Sequence, residues 1–114
     1  MKVLFDHCVP EPFRAAIVGH SVATTHEMDW SDHTNGELLA LAATQFDVFF
    51  TVDQNIEYER NLKTLPLPVV ILVAPTNRLQ TLLPYAPAIL QALAGMTGDK
   101  LIRINADLSI VRIA

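Results

Sequence analysis

The sequence predicts one α/β domain built on a mainly parallel sheet flanked by helices, and three observations lead there. Short β-prone runs alternate with segments of helical spacing along nearly the whole chain. Two of those runs, residues 48–52 and 69–73, are continuously apolar and rich in β-branched or aromatic residues, the pattern of strands buried on both faces. The composition, 51% apolar against 18% charged over 114 residues, supplies enough core for a single domain spanning residues 1–114 without disulfides or metals.

The elements follow in order. Lys2–Phe5 is a short strand, residues 6–10 carry turn signals, and Pro12 sits in the first turn of a helix expected to reach Ile17, where Gly19 stops it. Residues 21–25, with β-branched Val22, Thr24 and Thr25, form a second strand, followed by a polar loop holding His26, Glu27, Asp29, Asp32 and His33. From Gly36, the spacing of Leu38, Leu39, Leu41, Ala42 and Ala43 predicts a helix with a broad apolar face, closed by Phe46 and Asp47 before the third strand. A short helix is expected over residues 56–62, and Pro66 and Pro68 mark a loop before the fourth strand. Residues 77–83 and 84–93 read as one interrupted helical segment released by Gly95 and Gly98. Residues 100–104 and 108–113, joined through Asn105, Ala106 and Asp107, read as a closing C-terminal β-hairpin. No internal repeat or second domain is visible.

Charge and cysteine content narrow the function classes. Eight Lys and Arg against twelve Asp and Glu give a net charge of -4, the wrong sign for holding nucleic acid by bulk electrostatics. Any such role must be local, and Arg60, Lys63 and Arg78 are the candidate phosphate contacts. The longest apolar stretches, residues 38–43 and 69–74, fall far short of the roughly 20 residues that span a membrane. No export signal opens the chain, and a lone cysteine, Cys8, fits a reducing compartment; the expected location is cytoplasmic.

In open parallel sheets, ligands bind outside the carboxyl ends of the strands, and Asp6 and Asp53 each follow an apolar strand directly. Two carboxylates at neighbouring strand ends repel each other unless a cation compensates them, which makes the pair a candidate site for Mg²⁺ or Mn²⁺. Such an ion orients water for attack on a phosphodiester and stabilises charge on the phosphoryl oxygens. Each acid also has a structural use. Asp6 suits a turn and Asp53 a helix N-cap, while Thr34 followed three residues later by Glu37 fits a capping box worth roughly 1 kcal/mol. Asp47 precedes its strand, so about six steps of roughly 3.3 Å separate it from Asp53 and place it at the far end of the sheet. Glu57, four residues after Asp53, is the reserve ligand, with a surface helix face as its ordinary use. Asp6, His7 and Cys8 do not make a zinc site, because adjacent turn residues rarely point at one ion and no second Cys or spaced His pair completes the set. His20, His26 and His33 read as surface or loop residues, and Trp30 as a packing residue.

Three segments, Val3-Leu4-Phe5-Asp6-His7-Cys8-Val9-Pro10, Asn35-Gly36-Glu37-Leu38-Leu39-Ala40 and Thr51-Val52-Asp53-Gln54-Asn55, together resemble a family of small PIN-like proteins related to PIN-domain ribonucleases. The likeness continues through residues 68–74, Asn77-Arg78-Leu79 and the terminal strands. The resemblance implies a three-layer α/β sandwich, a divalent-metal acidic site and RNA cleavage, often as the toxin partnered by an antitoxin protein. Carried over by position, Asp6, Glu37 and Asp53 are the metal-site and catalytic acids, with Asn55 and Asn35 as polar neighbours. The family form of the first motif reads Asp-Glu-Asn; here His7 and Cys8 follow Asp6, so one acid is missing from that turn.

Two other readings compete. One is a PIN-like module of weak or absent catalysis that binds a protein such as an antitoxin peptide, or forms a homodimer along an exposed strand of the terminal hairpin. Small, strongly apolar α/β domains favour the homodimer. The other is a phosphoacceptor receiver domain, which also places acids after its first and third strands. It needs a Lys after the last parallel strand, whereas Lys100 precedes one.

Overall fold

Strand β1 (Lys2–Phe5) forms the middle of the first half of the sheet, because Val3, Leu4 and Phe5 are all fully buried and need cover on both faces. The computed structural model describes residues 1–59 and 64–114. Arg60, Lys63 and the expected end of the helix after Asp53 lie outside the described residues. Strands β2 (Ser21–Thr24), β3 (Val48–Thr51), β4 (Val69–Leu72), β5 (Leu101–Ile104) and β6 (Ile110–Arg112) complete one six-stranded sheet of order β2-β1-β3-β4-β5-β6. The first five run parallel, and β6 returns antiparallel to β5 with Arg103 opposite Val111.

Alternation along each strand divides the interior in two. Val3, Phe5, Val48, Phe50, Val70, Leu72, Ile102 and Ile104 face one core. Leu4, Phe49, Val69, Ile71 and Leu101 face the other. The first core is covered by a 3-10 helix, Glu11–Ala16, and by α3 (Leu79–Leu82) and α4 (Ala86–Ala94). The second is covered by α1 (Asn35–Ala43) and α2 (Ile56–Glu59). The sheet thus carries helices on both faces, as its continuously apolar strands require. Each fully buried Phe or Leu contributes about 1.5–3 kcal/mol by leaving water. Phe5 stacks on Phe13 and Phe50 at centroid distances of 6.0 and 5.7 Å, tying the 3-10 helix to β1 and β3.

Several boundaries differ from the sequence expectation for identifiable reasons. The first helix is a six-residue 3-10 helix rather than an α-helix; it ends at Ala16 with Ile17 as its C-cap, and Gly19 at φ +86° makes the reversal into β2. Strand β6 begins at Ile110 instead of residue 108, because Leu108 has φ +68° and the Asp107 carboxylate accepts from the Ser109 amide and hydroxyl to build the turn. The interrupted helical segment resolves into α3, a 3-10 turn at Leu83–Tyr85 containing Pro84, and α4. Asp47 lies at the amino end of the sheet, where its carboxylate accepts from the Lys2 amide at 2.7 Å. Trp30 packs edge-on against Phe46 at 6.1 Å. No helix among the described residues is long and apolar enough to cross a membrane.

Candidate functional site

The chain leaves β1 to form β2 on one side and returns to form β3 on the other, so the sheet order reverses between β1 and β3. At such a switch point the connections diverge and open a crevice at the carboxyl ends of the strands. Asp6 and Asp53 follow those two strands.

Asp6 continues the alternation of β1 toward the Leu4 side, and the residue is only 4% exposed. A buried carboxylate must be matched by donors, and this one has four. Oδ2 accepts from the Thr51 hydroxyl at 2.8 Å and faces the Cys8 thiol at 3.5 Å. Oδ1 accepts from the His7 amide at 2.9 Å and lies 3.0 Å from Nδ1 of the largely exposed His7 ring. The Asp6 amide donates to the Phe50 carbonyl, which locks the turn to β3. Burial, followed by the charge of Asp6, pushes the Cys8 thiol above its ordinary value, so it stays protonated at neutral pH.

Thr51 is the hinge of the arrangement. Its hydroxyl donates to Asp6 and accepts from the Asp53 amide at 3.0 Å, joining the two strand ends through one buried oxygen. Asp53 is half-buried, and its Oδ1 accepts from the Asn55 amide at 2.9 Å in the turn before α2. The sequence offered a signal for Thr51, since it is the one polar residue of Val-Phe-Phe-Thr and shares a strand face with Asp53.

Glu37 behaves differently. The Thr34 side chain accepts from the Glu37 amide, which is half of the expected capping box. The Glu37 carboxylate turns away to Nδ1 of His33 at 3.0 Å and remains exposed, and that hydrogen bond holds it below its ordinary value. Among the described residues, no three His, Cys, Asp or Glu side chains come together closely enough to hold a metal ion. Asp6, Glu37 and Asp53 therefore do not form a three-carboxylate cluster. Glu57 is engaged as well: both its oxygens lie 3.1 Å from Nη1 of Arg103, and its side chain is only 13% exposed. A solvated helix face does not describe it. An arginine inside the apolar run Leu101-Ile102-Arg103-Ile104 was the signal for a buried acidic partner.

Arg78 is exposed beyond β4, and its guanidinium makes no ion pair with a described residue. Its neighbour Asn77 donates to the Cys8 carbonyl at 2.9 Å, which docks this loop on the turn that carries Asp6. On the other side of Asp6, between that turn and the segment after β2, lies a cavity of about 320 Å³ bounded by Asp6, Val9, Pro10, Thr25, His26 and Ser31. Thr25 is 1% exposed, and its hydroxyl has no hydrogen-bond partner among the described residues. The sequence pattern gave Thr25 only as a β-branched strand residue. No protein-family model, curated protein or solved structure matches the chain.

Proposed function

We propose that the chain is a PIN-like ribonuclease that works with Mg²⁺ or Mn²⁺ at the crevice between β1 and β3. One observation carries the reading: Asp6 and Asp53 leave adjacent parallel strands at the reversal of sheet order and are joined through the Thr51 hydroxyl. The donors are all oxygen, and Mg²⁺ is commonly held by one or two carboxylates, with water and substrate phosphate completing its shell. Two acids therefore fit a hard divalent ion, with Glu37 outside the pair. When bound, the ion would supply positive charge to the phosphoryl oxygens and acidify a water.

The chain's own residues would do the rest. Asp6 would offer Oδ1 by release of the exposed His7 ring, a movement that leaves the Thr51 hydrogen bond in place. The Asn55 amide orients Asp53. Arg78, beside the docked Asn77 loop, would attract a phosphate from solvent. A local cation of this kind suits single-stranded RNA better than a duplex on a chain of net charge -4.

A second reading has one observation in its favour. The Asp6 carboxylate already has four internal partners, as a purely structural staple would. In that reading the domain acts by binding a protein, such as an antitoxin peptide or a second copy along the open edge of β6.

Calorimetry with Mn²⁺ separates the two, comparing the parent with Asp6→Asn and Asp53→Asn and then assaying the same samples on mixed single-stranded RNA. Binding and cleavage lost together in both variants is the expected result. Asp53→Asn is the cleaner arm, because Asp53 is half-buried and its replacement leaves the Asp6 network intact. No Mn²⁺ binding by the parent at millimolar concentration would remove the ribonuclease reading and leave the protein-binding one.

A further inference from the structure

A large apolar side chain left singly in water is ordinary, and becomes informative when its surroundings give it a use. Tyr58 of α2 is 79% exposed, more than any other large apolar side chain among the described residues. The two residues before it do the fastening: Ile56 is 2% exposed in the core beneath the helix, and Glu57 is held by Arg103. The Tyr58 ring meets no other aromatic ring and makes no hydrogen bond with a described residue. The anchoring of α2 thus leaves this ring unused.

Backbone hydrogen bonds tie Tyr58 to the crevice. Its amide donates to the Asn55 carbonyl at 2.9 Å, and the Asn55 amide donates to Asp53 Oδ1 at 2.9 Å. Two such bonds with one residue between them keep the Tyr58 amide within about 10 Å of the Asp53 carboxylate. The Glu57 amide likewise donates to the Gln54 carbonyl, so the winding of α2 begins at Gln54 and sets Gln54 and Asn55 on the turn ahead of Tyr58. Both are exposed, and neither side-chain amide is hydrogen bonded to a described residue.

The setting is that of a flat, hydrogen-bonding partner rather than of a protein surface. Protein interfaces draw their energy from clustered apolar anchors, and the other exposed large apolar side chains lie elsewhere. Met1 and Val18 are at the amino end of β1 and β2, and Leu83 and Leu108 are on the side of the sheet that Tyr85 covers. Glu57, the acid beside Tyr58, is neutralised by Arg103, which removes one charge that would repel a polyanion. Exposed aromatic rings with polar neighbours are how single strands are held, since every base has a face to stack.

The sheet supplies the direction of the strand. Asp53 follows β3 and Arg78 follows β4, its neighbour in the sheet. Leu79 packs on the Phe50 side and Ile56 on the Phe49 side, so Arg78 and Tyr58 stand on opposite sides of the carboxyl edge, with Asp53 between them. We propose that Tyr58 is the stacking platform for one base of a single-stranded RNA that crosses the carboxyl ends of β3 and β4, with a phosphate of the same strand at Arg78. That the strand is also a substrate rests on the ribonuclease reading; the platform rests on the exposure and placement of Tyr58. Stacking accepts any base, so the platform holds the strand without selecting a sequence.

The test uses the whole chain in EDTA with a short mixed-sequence single-stranded RNA. At millimolar concentration the RNA should move the Tyr58 ring resonances upfield, as stacking under a base does. Tyr58→Ala should weaken RNA binding by about tenfold or more at unchanged Tm, because the ring lies in solvent. Tyr58→Phe and Tyr58→Trp should bind as the parent does. An abasic strand with the same phosphates should bind the parent no better than the intact RNA binds Tyr58→Ala. No ring shift with RNA, equal binding by the parent and Tyr58→Ala, or equal binding of the abasic strand by the parent would each overturn the proposal. Ring shifts that follow protein concentration without RNA would do the same and make Tyr58 a contact between copies of the chain. Tyr58-dependent RNA binding with no Mn²⁺ binding would remove the ribonuclease reading and keep the platform; Mn²⁺-dependent cleavage with the same KM in Tyr58→Ala would do the reverse.

Discussion

At the scale of single residues, the site depends on one hydroxyl more than on any one acid. Thr51 satisfies an oxygen of the buried Asp6 carboxylate and the Asp53 amide at once. Replacing it with Val preserves volume and β-branching but leaves Asp6 Oδ2 with only the weak Cys8 thiol at 3.5 Å. A buried acceptor deprived of its donor costs about 1–3 kcal/mol, and more when it carries charge. Urea denaturation of Thr51→Val should therefore show a lower midpoint at unchanged m-value, with Thr51→Ser close to the parent. A Thr51→Val midpoint equal to the parent's would mean that Asp6 finds another partner and that the strand ends are not coupled through this residue.

Between elements, the wall of the cavity is fastened by Glu27. Its Oε1 accepts from Arg14 Nη2 of the 3-10 helix and from the Thr24 amide at the end of β2, so one exposed carboxylate ties the first helical cover to the loop that carries Thr25. The Arg14 hydrogen bond, then the Thr24 amide, holds Glu27 below its ordinary value of 4.5. A carboxylate with a depressed folded-state value contributes stability that is present above the ordinary value and is lost as pH falls through the folded one. Tm of the parent should accordingly fall faster than that of Glu27→Gln as pH drops from about 5 to about 3, and parallel curves would show the tie to be idle. The elements themselves were legible where periodicity is strong. The parallel strands and α1 follow from continuous apolar runs and from Leu and Ala spacing, and Asp6 and Asp53 were located because each ends such a run. What the sequence hid depends on side-chain direction: Glu37 turning to His33, Glu57 reaching Arg103 on a strand 46 residues away, and the Thr25 hydroxyl left without a partner among the described residues. Periodicity gives the face a residue occupies and says nothing of which polar group it meets across the fold.

At the scale of the whole molecule, the sheet joins the two cores, since the residues of one cluster and those of the other alternate along the same strands. The single tryptophan, Trp30, packs on the Leu4 and Phe49 side, whereas Phe50 is buried on the opposite side against Phe5. If the hydrogen-bonded sheet makes the two cores one cooperative unit, a cavity made on the Phe50 side must lower the stability reported by Trp30 by its full amount. Phe50→Ala removes a buried ring, which costs about 3–5 kcal/mol, a large share of the 5–15 kcal/mol typical of a domain. Phe50→Leu is the milder companion should the alanine variant not fold. The expected result is that Trp30 fluorescence and far-UV circular dichroism give coincident denaturation curves, both displaced to lower urea in the variant. A Trp30 transition that stays at the parent midpoint while the circular dichroism shifts would show that the α1 side unfolds independently. The crevice between β1 and β3, which draws its groups from both sides of the sheet through Asp6 and its neighbours, would then rest on two separable halves rather than one frame.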